Sequence, residues 1–134
     1  MVTFVIDAPA AIALVRHGYD SHRDTELIAP TLLRSQVLAR IHTESVSSPG
    51  SETAWLEFAE RACRLPRRLL GDAVLRSTAW RIATEQGWEA TYDAEYVALT
   101  KLHGEALITA SDTLRARASG LVRVESVDDL LARR

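Results

Sequence analysis

The chain reads as a three-layer α/β/α sandwich, one Rossmann-like domain over residues 1–134 built on a central, mainly parallel sheet. Three observations carry that reading. Short β-rich apolar runs alternate with stretches whose apolar residues recur at helical spacing, the pattern of strand–helix–strand crossovers. The first run, Val2-Thr3-Phe4-Val5-Ile6, is apolar almost throughout, as a strand covered on both faces must be. Finally, Asp7 closes that run, and Asp93 and Asp112 recur at comparable junctions.

Val2 to Ile6 therefore forms a first strand. Pro9 suits the opening of a helix through Ala10-Ala11-Ile12-Ala13-Leu14-Val15, and Gly18 suits its exit. The polar segment Tyr19 to Glu26 reads as a loop, and Leu27-Ile28-Ala29 as a second strand. Pro30 and Thr31 open a long helix with Leu33, Val37, Leu38 and Ile41 on one face. Ser51 to Ala54 begins the next helix, which Pro66 breaks or restarts. Gly71-Asp72 leads into a helix carrying Val74, Leu75, Ala79, Ile82 and Ala83, ending at Gly87. Thr91 caps a helix through Leu102 that stops at Gly104, and Ala106 to Thr109 is a short buried strand. Thr113 to Ala118 is weakly helical, Leu121 to Val124 reads as a last strand, and Ser126 with Asp129 opens a last helix as a capping pair.

A formal net charge of -2 gives no global attraction to nucleic acid, so a polyanion would have to be held locally. Of the 16 basic residues only Lys101 is lysine, and arginine makes the better phosphate fork. The single cysteine, Cys63, forms no internal disulfide, and no apolar stretch approaches the ~20 residues of a membrane-spanning helix. The expectation is a cytoplasmic protein without membrane association.

An α/β sheet gathers its ligands outside the carboxyl ends of its strands. Three carboxylates there would repel one another unless a hard cation such as Mg²⁺ or Mn²⁺ neutralised them. Asp7, Asp93 and Asp112 are accordingly the candidate metal ligands and catalytic acids. Each also has an ordinary reading as a helix-terminal residue. Arg61, Arg64, Arg67 and Arg68 form the densest basic patch, and Arg115 and Arg117 lie just beyond Asp112.

Val5-Ile6-Asp7, the segment Ala29 to Val37, Tyr92-Asp93-Ala94-Glu95-Tyr96-Val97-Ala98-Leu99 and the segment Ala106 to Leu114 together resemble the PIN-domain family, and within it the VapC-type toxins of bacterial toxin–antitoxin pairs. The resemblance runs in order from Val2 to about Leu131. It implies an endoribonuclease that hydrolyses RNA with Mg²⁺ or Mn²⁺, commonly homodimeric and inhibited by a VapB-type antitoxin. Asp7 and Asp93 match the family's acids directly. Gln36 stands where the family usually has an acid, Ser111 holds the usual place of the acid now found at Asp112, and Pro9 replaces a common hydroxyl residue. Gln36 and Ser111 are thus auxiliary site positions, and Arg115 and Arg117 are candidate contacts to RNA or antitoxin. The departures also admit another reading, a catalytically weakened PIN-like protein that binds RNA or an antitoxin.

Overall fold

The computed structural model describes residues 1–20 and 24–133. Five parallel strands run β1 (Val2–Ile6), β2 (Thr25–Pro30), β3 (Arg68–Leu70), β4 (Ala106–Ile108) and β5 (Val124–Glu125), in the spatial order β3-β2-β1-β4-β5. Seven helices connect them: α1 (Ala8–Arg16), α2 (Leu33–Val46), α3 (Glu52–Arg64), α4 (Ala73–Gln86), α5 (Tyr92–His103), α6 (Asp112–Ala118) and α7 (Val127–Ala132).

The period-2 alternation of the strands explains the three layers. Phe4, Ile6, Leu27, Ala29, Ala106 and Ile108 point into one core, which α1, α2, α3 and α7 cover. Val5, Ile28 and Leu107 point into the other, beneath α4, α5 and α6. A strand flanked by helices on both faces has no solvent side, which is why Phe4, Val5 and Ile6 are all fully buried. The expected α/β/α architecture and parallel sheet are observed.

Helix starts follow local chemistry. The side chains of Asp7, Ser51, Asp72, Ser111 and Ser126 each accept a backbone N–H of the helix they precede, a cap worth about 1 kcal/mol. Ser126 and Asp129 form the expected reciprocal capping box. Gly87 closes α4 at φ 71, the left-handed conformation that favours glycine. At Gly104 a Cβ would lie 2.9 Å from Val5 Cγ2, so only glycine lets the α5–β4 turn sit this close to β1.

Four boundaries differ from the sequence reading. Pro30 ends β2 rather than opening α2, which begins at Leu33 without a side-chain cap. Arg68–Leu70 is an edge strand paired with Ile28–Pro30, in a stretch where the sequence reading placed no strand. Three residues flanked by arginine are too few to show alternation. The last strand is Val124–Glu125, preceded by an isolated bridge between Ser119 and Val122, instead of residues 121–124. The loop expected over residues 19–26 falls partly on residues 21–23, outside the described residues, and β2 already begins at Thr25. Among the described residues no helix is long and apolar enough to cross a membrane.

Candidate functional site

The sheet order reverses between β1 and β4: the chain leaves β1 toward β2 and β3, then crosses to β4 and β5 on the other side. A doubly wound sheet opens a crevice at such a switch point, at the carboxyl ends of the two strands. Asp7 immediately follows β1 and Thr109 immediately follows β4. Both are buried, with Asp7 only 2% exposed.

Both oxygens of Asp7 are engaged. Oδ1 accepts the Ala10 N–H at 2.8 Å, capping α1, and Oδ2 accepts the Thr109 hydroxyl. The Thr109 oxygen in turn accepts the Ser111 N–H at 2.9 Å, tying the β4–α6 turn to Asp7. Burial pushes the Asp7 carboxyl above its ordinary pKa, against the opposing pull of the Thr109 hydrogen bond, the Ala10 and Ala110 backbone and the Arg40 charge. The ionised form is therefore short of compensating positive charge.

Tyr96 links the other candidate residues. It lies one turn past Tyr92 on α5, is 1% exposed, and its hydroxyl donates to Gln36 Oε1 on α2 at 2.6 Å. Burial raises the phenol pKa, and the negative charges of Asp7, Glu95 and Asp93 raise it further, while Arg40 opposes them. The phenol is thus held protonated, with acids of two segments, Asp7 after β1 and both Asp93 and Glu95 on α5, acting on it. Glu95, half-buried, is itself held above its ordinary pKa by burial.

Asp93, in the first turn of α5, pairs with the Arg117 guanidinium of α6 at 3.0 Å. That guanidinium also lies over the Trp88 ring, 5.3 Å from its centroid. Asp112 is exposed at the first position of α6, while Ser111 serves as the α6 cap by accepting the Leu114 N–H at 3.2 Å. The residue hydrogen-bonded to the Asp7–Thr109 pair is Ser111, one place before the acid. Arg115 is half-buried and lends positive charge to Asp129 of α7.

Asp7 and Asp93 thus act on Tyr96 through their charges, and Gln36 through its hydrogen bond. Among the described residues, however, no three Asp, Glu, His or Cys side chains are grouped closely enough to hold a metal. What remains is two carboxylates, one of them buried and undercompensated.

Thr109, Tyr96 and Arg40 were not singled out as site residues from the sequence. Thr109 was legible, since a threonine ending a buried strand beside Asp7's strand has a hydroxyl to satisfy. Arg40 stands one turn after Gln36, on the same side of α2. Two further acids of these segments are paired elsewhere, Glu44 with Arg16 and Glu26 with Arg68 at 2.9 Å.

No family model matches the sequence, and no curated protein matches it. Solved structures do. PAE2754 from Pyrobaculum aerophilum is 24% identical, with a TM-score of 0.77 over 98% of this chain and 96% of that one. VapBC-1 from nontypeable Haemophilus influenzae is 10% identical, with a TM-score of 0.63 over 95% of this chain and 99% of that one. At these identities the likeness establishes the fold alone, a parallel α/β fold shared over nearly the whole of each chain.

Proposed function

We propose that the protein is a PIN-like endoribonuclease of the toxin–antitoxin type, hydrolysing RNA phosphodiester bonds with Mg²⁺ or Mn²⁺ and restrained by a VapB-type antitoxin. The observation that carries this reading is the buried, undercompensated Asp7 carboxylate at the switch point of a sheet whose fold is shared with VapBC-1. Asp7 and Asp93 are the residues that would hold the ion. Bound there, it would supply a Lewis acid for the phosphate and a lowered water pKa for the nucleophile.

The chain's own residues do the positioning. Thr109 and the α1 N-terminus fix the Asp7 carboxylate so that it cannot rotate away. Tyr96 fixes Gln36. Ser111, through Thr109, anchors the turn that presents Asp112, the exposed outer acid of the proposed site. Arg115 and Arg117 supply positive charge on α6, with Arg117 exchanging its Asp93 partner for RNA or an acidic antitoxin segment. The protein is proposed to act in the cytoplasm as a homodimer.

The Asp93–Arg117 pair also favours a second reading, a weakened PIN-like protein that binds RNA or antitoxin without efficient cleavage. RNA-end mapping after induced expression separates the two. The nuclease reading expects growth arrest and discrete new RNA ends with native protein, neither with Asp93→Ala, and relief when the antitoxin is co-expressed. Identical end maps for native and variant contradict it.

A further inference from the structure

Gln36 is a neutral side chain on α2, and its amide is not freely oriented. Its carbonyl oxygen is taken by the Tyr96 hydroxyl, a buried donor held on α5. An amide bound through its oxygen presents its NH₂ on the other side of the group, and that NH₂ can only donate. Arg40 follows one turn later on α2, exposed, and a shallow surface hollow is lined by Gln36, Ala39, Arg40 and Thr43. The Thr43 hydroxyl is already spent on Ala39 O at 3.0 Å. No carboxylate lines the hollow. Gln36 and Arg40 therefore supply two donor side chains to one hollow that no carboxylate lines, and Arg40's charge reaches both Asp7 and Tyr96.

We propose that Gln36 and Arg40 form a phosphodiester-binding strip on α2, in which the Gln36 amide N–H and the Arg40 guanidinium hold non-bridging phosphate oxygens of the RNA backbone. The strip deepens the nuclease reading, since it rests on RNA being the ligand, but it operates without metal. Gln36 is then a substrate-orienting donor that an acid at the same place would turn into a repulsive group. Ala39 between the two donors is small enough to let a backbone approach the helix.

The test is fluorescence anisotropy with a labelled short single-stranded RNA, and with DNA of the same sequence, in EDTA at fixed low salt. Native protein binds both, because the contact is to phosphate. Arg40→Gln weakens each by about tenfold, the loss of one charged hydrogen bond. Gln36→Glu weakens binding at least as much, while Gln36→Asn, which keeps an amide on a shorter stem, loses less. Arg81→Gln, on α4 across the sheet, makes the same change in net charge and leaves affinity within about twofold. The strip is overturned if native protein binds neither strand, or if Gln36→Glu and Arg40→Gln bind like native, or if Arg81→Gln weakens binding as much as Arg40→Gln. Native binding lost in both strip variants, combined with no cleavage when Mn²⁺ is added, upholds the strip and sinks the nuclease reading alone.

Discussion

The Tyr96 hydroxyl donates to Gln36 Oε1 at 2.6 Å, joining α5 to α2 across 60 positions of sequence beside the carboxyl end of β1. The bond gives a neutral side chain a fixed orientation beside two carboxylates. Tyr96→Phe and Gln36→Leu should each lower unfolding free energy. A double-mutant cycle in urea should return a coupling of about 1 kcal/mol, the net worth of a partly buried hydrogen bond. Additive losses would show that the contact contributes nothing.

Asp7 makes stability depend on pH with a definite sign. Its folded pKa is raised above the ordinary value of 3.8, so the folded state holds the proton more tightly than the unfolded chain. Its stabilising contribution is complete below that ordinary value and lost as pH rises through the folded pKa. The stability of native protein relative to Asp7→Asn should therefore fall across that interval, because asparagine retains a cap for α1 but does not titrate. Mn²⁺ should recover the loss in native protein by binding the ionised form. A relative stability that rises with pH contradicts the burial argument.

Ser111→Asp places an acid on the residue already hydrogen-bonded to the Asp7–Thr109 pair. Aspartate caps a helix as well as serine does, so α6 should lose no more than about 0.5 kcal/mol. Calorimetric Mn²⁺ affinity should tighten by about tenfold, the effect of one added charged ligand. Unchanged affinity would mean that this turn does not face the ion.

Arg117→Met removes the cation now paired with Asp93 and stacked over Trp88. Partial exposure of the pair limits the stability loss to about 0.5–1 kcal/mol by thermal unfolding. Mn²⁺ affinity should rise severalfold as the competing charge leaves. A fall in affinity would instead assign Arg117 a supporting role in the site.

How much of this was legible in the chain depends on the range of the interaction. Asp7 followed from its own neighbours, since an apolar run ending in a carboxylate defines a strand end and a helix cap within a few residues. The Ser126–Asp129 capping box and the Gly87 helix stop were equally local. The edge strand Arg68–Leu70 was not, because its pairing with β2 comes from residues some 40 positions earlier and leaves no periodicity over three residues. Arg117 read as a candidate contact to RNA or antitoxin beyond Asp112, and its pairing with Asp93 across the α5–α6 contact was not legible. Tyr96 had no polar partner legible in the sequence around it. It is core, and its one polar atom carries the link to Gln36.

The most direct measurement is cleavage of total cellular RNA by purified, antitoxin-free protein with Mn²⁺ or Mg²⁺, read by sequencing the new ends. The account predicts discrete ends with native protein that vanish in EDTA and in both Asp7→Asn and Asp93→Ala. The same ends in the presence of EDTA, or from native and Asp7→Asn protein alike, would contradict it.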